Sequence, residues 1–254
     1  MPDAKPIVPV NPEGLDDIAQ SLLDNTIPEF KSTAPSAAGT SAPVEEPGSY
    51  IILPGRKHGS YEYPDLLVPT ERTYIGKRWH QTNEALYLEG AYMITPRQFV
   101  DFINILRSGN VYNGAGMKLD SKRVRFILDD ILEKKDPYRA EWLDAKFSQS
   151  GRSTNVTYHK IKSDGAIEDV TVPLQECLME DKQSGISLEY WLRNATNQGL
   201  PPKNITNGSI GYRYPKDKAV ALFWAGYMGA DLRADWVPTL SHSWLGVRAA
   251  KIKR

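Results

Sequence analysis

The chain has 254 residues, 41% hydrophobic and 24% charged, a composition that buries one large core or two smaller ones and excludes a fibrous or wholly disordered protein. Its 31 basic and 31 acidic residues cancel, and the basic tail at 251–254 is its longest basic patch, which argues against nucleic acid as the main partner. The single cysteine, Cys177, excludes an intrachain disulfide and a multi-cysteine zinc site; with no signal peptide pattern and no apolar run near the ~20 residues that span a bilayer, the chain reads as soluble, without membrane insertion.

Residues 1–48 hold eight of the eighteen prolines and one aromatic, Phe30, with two basic against eight acidic residues, so they carry −6 and the other 206 residues carry +6. Such a stretch buries too little apolar surface to offset its ordering entropy and reads as a flexible acidic arm, a linker or a tether to another protein. Within it, Leu15, Ile18, Leu22 and Leu23 sit at helical spacing, as a short docking helix over Gly14 to Leu23 would.

The composition turns globular at Ser49. Tyr50 to Leu53 reads as a buried strand stopped by Pro54-Gly55, and Arg56-Lys57-His58 after that turn resembles an anion-binding loop, a pattern too common to carry weight alone. A second strand is expected over Leu86 to Met93. Thr95, Pro96 and Gln98 then have the spacing of a capped helix start, followed by an apolar face of Phe99, Phe102, Ile103 and Leu106 and a stop at Ser108-Gly109. A second helix opens at Ser121, buries Val124, Ile127, Leu128 and Ile131, leaves Asp129 and Asp130 on its solvated side, and closes before Asp136-Pro137. Asn155 to Ile161 and Ile167 to Val172 flank Ser163-Asp164-Gly165 as a hairpin. A third helix is expected over Ser187 to Asn197, burying Leu188, Trp191, Leu192 and Ala195.

Three of the six tryptophans, Trp224, Trp236 and Trp244, lie near the end of the chain beside Phe223, Tyr227, Met228, Arg233 and His242. No helical or strand period orders Leu222 to Trp244, so this segment reads as an irregular loop that displays its rings for binding. The compact strand Leu245 to Ala250 follows, with Leu245 and Val247 turned inward and Arg248 in a structural hydrogen bond or ion pair. The fold class is α+β, and no internal repeat is present.

Enzyme motifs leave no mark: there is no Gly-x-Gly-x-x-Gly, no phosphate-cradling Gly-x-x-x-x-Gly-Lys, no His-Glu-x-x-His and no Gly-x-Ser-x-Gly. His58, His80, His159 and His242 are scattered without metal-ligand spacing and read as surface or hydrogen-bonding residues. Cys177, among Leu174, Leu178 and Met179, reads as a small buried hydrophobe. Neither a catalytic residue nor a metal site nor a cofactor is expected.

Trp224, Arg233, Pro238 and then Gly246-Val247-Arg248 resemble the end of the formylglycine-generating-enzyme (sulfatase-modifying factor) branch of the C-type lectin fold, with Val247 where that branch has Phe and a shorter loop between Trp224 and Pro238. Tyr92 to Phe99 is similar to the strand, capping Thr and amphipathic helix near the start of that branch. The likeness covers roughly 86–108 and 210–250 and leaves the helices between them unexplained. Paired copper-binding cysteines of the oxidases and the calcium-site motifs of sugar-binding lectins are both missing. What remains resembles the variable proteins of diversity-generating retroelements, which phage and archaeal viruses include; Tyr212 to Asp217 is similar to the lead-in of their variable region.

That resemblance implies a C-type lectin fold with inserted helices over 49–254, a variable region at about 212–250, and a non-enzymatic protein that presents a diversified surface to a protein or cell-surface ligand, as a receptor-binding element on a virion or cell surface. The implied ligand-binding residues are Phe223, Trp224, Tyr227, Met228, Asp231, Arg233, Asp235, Trp236, Thr239, His242 and Trp244, with Trp224 reading equally as core and Trp244 also as a plug beneath the terminal strand. Aromatic and Arg side chains bring wide contact area for little lost rotamer freedom, which suits them to that use. Two other readings stand beside it: an enzyme of the formylglycine-generating family with a non-cysteine mechanism, and a virion structural component whose aromatic patch is a fixed interface.

Overall fold

The computed structural model describes residues 47–134, 136–161 and 166–254. The acidic arm up to residue 46, the helix expected at Gly14 to Leu23 and the Ser163-Asp164-Gly165 turn lie outside the described residues. Those described form a mixed α+β arrangement.

Strands β1 (Tyr50–Leu53), β2 (Arg56–His58), β3 (Tyr61–Tyr63) and β4 (Leu66–Pro69) come first. Helix α1 (Trp79–Leu88), the short β5 (Tyr92–Met93), α2 (Pro96–Ser108) and α3 (Ser121–Leu132) follow. Then come β6 (Arg139–Ser150), β7 (Ser153–Ile161), β8 (Ile167–Pro173), β9 (Lys182–Ile186), α4 (Leu188–Asn194), β10 (Ile210–Arg213), β11 (Val220–Gly226), β12 (Gly229–Trp236), β13 (Leu245–Gly246) and β14 (Ala249–Ile252).

The large sheet runs β8-β7-β6-β11-β12-β10-β9, and along this path it is antiparallel except where β10 lies parallel to β12. β6 is long enough to hold β11 along one edge and, end to end along the other, β7 and the parallel β13. A smaller sheet, β1-β4-β14-β5, places the last strand of the chain between two early ones, and β2 and β3 form a separate hairpin.

Side chains alternate across the pleat, so the large sheet builds a core on each face. Leu143, Ala145 and Phe147 of β6, Ala221 and Phe223 of β11 and Ala230, Leu232 and Ala234 of β12 meet α2, α3, α4 and the small sheet in the larger core. Ala140, Trp142, Val220 and Leu222 point the other way and meet Trp79 and Leu86 of α1 with Leu245 and Val247. At about 1.5–3 kcal/mol for each large apolar side chain taken out of water, these two layers are what fix the sheet.

Local signals explain the helices. Thr95 caps α2, with Gln98 N–H donating to Thr95 Oγ1 at 3.3 Å and Thr95 N–H to Gln98 Oε1 at 2.9 Å, and Gly109 ends it in the left-handed region. α3 starts at Ser121 as expected, capped by Asp120, whose Oδ1 accepts from the Arg123 N–H at 2.9 Å.

Four expectations need correction. The strand expected over Leu86 to Met93 shrinks to β5, because Leu86 to Leu88 form the last turn of α1; that helix buries only Trp79, Thr82 and Leu86, too few to print a period. α4 ends at Asn194, since Arg97 Nη1 faces the carbonyls of Ala195 and Thr196 (3.4 and 3.3 Å) and Thr196 turns the chain back toward Leu200. Asp130 is only partly solvated, because its Oδ2 accepts from the buried Arg139 Nε at 2.8 Å. Leu222 to Trp244 is not an irregular loop either, because most of it forms β11 and β12 inside the large sheet.

Candidate binding surface

Leu222 to Trp244 is largely a hairpin, β11 and β12 joined at Tyr227-Met228. Its apparent lack of period has two causes. β11 is central and covered on both faces, so Val220-Ala221-Leu222-Phe223 is buried without alternation. β12 does alternate, with Ala230, Leu232 and Ala234 buried and Asp231, Arg233 and Asp235 on the outer face. That two-residue repeat is written in the sequence, and the cluster of rings around it masks it.

Register sets the surface. Trp224 pairs with Asp231 and Leu222 with Arg233, so Trp224, Asp231 and Arg233 share the face of the smaller core, at its edge. Around Trp224 lie Tyr138 (ring centroids 5.4 Å apart), Trp244 (5.8 Å) and Trp236 (6.5 Å), and Tyr138 stacks on Tyr227 at 6.0 Å. His242 stacks on Trp244 at 4.5 Å with planes 5° apart and meets Trp236 at 6.1 Å. Six rings therefore form one continuous patch, in the edge and offset arrangements that aromatic quadrupoles favour.

Polar groups hold the patch in place. Arg72 Nη1 donates to the carbonyls of Ala140 and Trp244, both at 2.7 Å, which fixes the loop after β12 against β6. Burial lowers the Arg72 pKa to about 10, so it stays charged at neutral pH. At the other end of that loop, Trp79 N–H donates to the Pro238 carbonyl at 3.2 Å. Arg233 grips Asp235 with Nε and Nη2 at 2.9 and 3.2 Å and lies 5.0 Å over the Trp236 ring. Lys216 Nζ reaches Asp235 at 3.6 Å. Burial pushes the Asp231 carboxyl up to about 6, and its Oδ1 makes no hydrogen bond.

The expected binding residues divide. Tyr227 and Met228 stand on the hairpin turn, 63% and 74% exposed, and Thr239 and His242 are exposed on the following loop. Trp224, Asp231, Arg233, Asp235, Trp236 and Trp244 are half-buried. Phe223 is the correction: it is fully buried in the larger core, 4.9 Å from Phe99 and 6.2 Å from Trp191. It precedes Trp224 on a strand, so the pleat sends it to the opposite face. Tyr138 belongs to the patch and was missed, because it lies 86 positions before Trp224 and only the pairing of β6 with β11 brings it there.

Among the described residues no group of three or more His, Cys, Asp or Glu side chains is placed to hold a metal ion, and no helix is long and apolar enough to cross a membrane. Cys177 is buried, which pushes its thiol up to about 12, far from thiolate chemistry. His80 is lowered by burial, and His159 sits against Asp144. No protein-family model, curated protein or solved structure matches this chain.

Proposed function

We propose that this protein is a non-enzymatic binding protein that presents the six-ring patch to a protein or cell-surface ligand, on a C-type-lectin-like frame diversified by a retroelement. The continuous patch of Tyr138, Trp224, Tyr227, Trp236, His242 and Trp244 carries the reading. Rings of this kind, flanked by a charged Arg233 and Asp235, are what high-contact interfaces use, and few such anchors supply most of a binding energy.

The frame supports the same reading. β14 closes the small sheet between β4 and β5, and Val247 and Arg248 are fully buried, so the end of the chain is fixed by the core. Tyr227, Met228, Thr239 and His242 protrude from that frame and can change without disturbing it. Phe223 drops out of the diversified set.

The test is the DNA around the gene. A near-copy of the codons for residues 212–250, differing where the copy has adenine, beside a reverse transcriptase gene, is the expected finding, with differences falling on Tyr227, Met228, Thr239 and His242. A locus without such a copy overturns the diversification, and a copy whose differences fall on Phe223, Leu232 and Leu245 overturns the assignment of the surface.

A further inference from the structure

A cleft of about 560 Å³ opens on the side of the large sheet that carries α2 and α4, away from the aromatic patch. Its walls are the β2–β3 hairpin, one stripe of α2 and α4. Arg97, Asp101, Asn104 and Ser108 recur every three or four residues along α2, so they form one line beside the core stripe.

The charge in this cleft is unbalanced. Arg56, Arg97, Arg107 and Arg193 face two carboxylates, Asp101 and Glu189. Both acids are already committed. Asp101, 1% exposed at its side chain, accepts from Arg97 Nη2 at 2.9 Å and Tyr63 OH at 2.7 Å and lies 2.8 Å from His58 Nε2. Glu189 pairs with Arg193 at 2.6 Å. Arg56 stands 3.6 Å from the same Asp101 and is half-exposed, and among the described residues Arg107 has no carboxylate within 4.0 Å. Arg97, itself buried, leaves its Nε without a hydrogen-bond partner.

We propose that this cleft binds a small ligand through an oxyanion, a carboxylate or phosphate group, held by Arg56 and Arg107 with His58 in the wall. Guanidinium groups match the planar or tetrahedral oxygens of such anions with paired N–H donors. The volume suits a small molecule, and the buried Asp101 fixes Arg97 and His58 so that the wall is formed before the ligand arrives. Of the Arg56-Lys57-His58 run, which forms strand β2 and not a loop, Arg56 and His58 line this cleft and Lys57 does not.

Isothermal titration of the full chain with inorganic phosphate, and separately with succinate, at constant ionic strength tests this. One saturable site is expected for at least one of them, and which anion binds assigns the chemistry. Arg56→Gln and Arg107→Gln each weaken that site by about tenfold or more, as loss of one charge-assisted contact does, while Arg125→Gln on α3 leaves it unchanged. The His58 ring resonances shift on saturation and those of His242 do not. Heats that fail to saturate with both anions, or a site indifferent to Arg56 and Arg107, or one weakened equally by Arg125→Gln, overturn the proposal.

Discussion

Arg248 Nε lies 2.9 Å from Glu141 Oε2, and both side chains are fully buried. Arg139 Nη2 donates to the other Glu141 oxygen at 2.8 Å, and Arg248 Nη1 donates to the carbonyls of Pro69 and Thr70 at 2.9 and 2.7 Å. One buried cluster thus ties the end of β4, the start of β6 and the segment between β13 and β14, behind the sheet that carries the aromatic patch. Burial works to raise the Glu141 carboxyl, but Arg139 and Arg248 outweigh it and hold it below the usual range.

Glu141→Gln leaves Arg139 and Arg248 buried against a neutral partner, and a loss of about 3 kcal/mol or more of stability is expected, measured by urea unfolding at pH 7. Because the folded pKa of Glu141 is depressed, its stabilisation is present above the unfolded value of about 4.3 and is lost as pH falls below it. The variant therefore shows a shallower acid limb than the parent.

His159 has the opposite sign. Asp144, 2.7 Å from its Nδ1, raises it, burial opposes, and the balance stands at about 9. A raised folded pKa gives stability that is complete below the unfolded value of about 6.5 and fades as pH rises through about 9. Asp144→Asn is expected to remove most of that pH dependence and on the order of 2–3 kcal/mol at pH 6, read by thermal unfolding across pH 6 to 10.

Residues of one hairpin should behave very differently. Phe223→Ala, in the fully buried position beside Phe99, is expected to cost about 3–5 kcal/mol, whereas Tyr227→Ser and Met228→Ser stay within about 0.5 kcal/mol of the parent. Denaturant midpoints of the three variants check this, and a large loss at Tyr227 or Met228 would show that the turn is not interchangeable.

Asp231 is a carboxylate that burial disfavours when ionised. With its folded pKa at about 6, its contribution is most favourable below about 3.9 and is lost as pH rises through about 6. Asp231→Asn is therefore expected to stabilise the protein at pH 7 by about 1 kcal/mol, after discounting for its partial exposure, and to leave stability at pH 4 nearly unchanged.

Much of the frame was legible from local chemistry. Thr95, Pro96, Gln98 and Gly109 mark α2 because backbone groups at helix ends need nearby partners, and the apolar spacing of Val124, Ile127 and Ile131 marks α3. The inward turn of Val247 is read from apolar alternation along the chain, whereas the partners of Arg248, Pro69 and Glu141 among them, come from distant segments. α1 was not legible, since its cap residue is Arg78 and its buried stripe is thin.

Residue type and spacing by themselves determined the mixed α+β class, the capped helices and the gathering of rings between Leu222 and Trp244, because these depend on interactions within a few residues. Only the tertiary structure decided that the rings sit on a hairpin, that Phe223 faces inward while Trp224 faces out, and that Tyr138 joins the patch. It also brought Arg56, Arg97 and Arg107 around one cleft. Those outcomes rest on which strand pairs with which and in what register, a choice settled by burial on both faces of a sheet, and no local pattern encodes it.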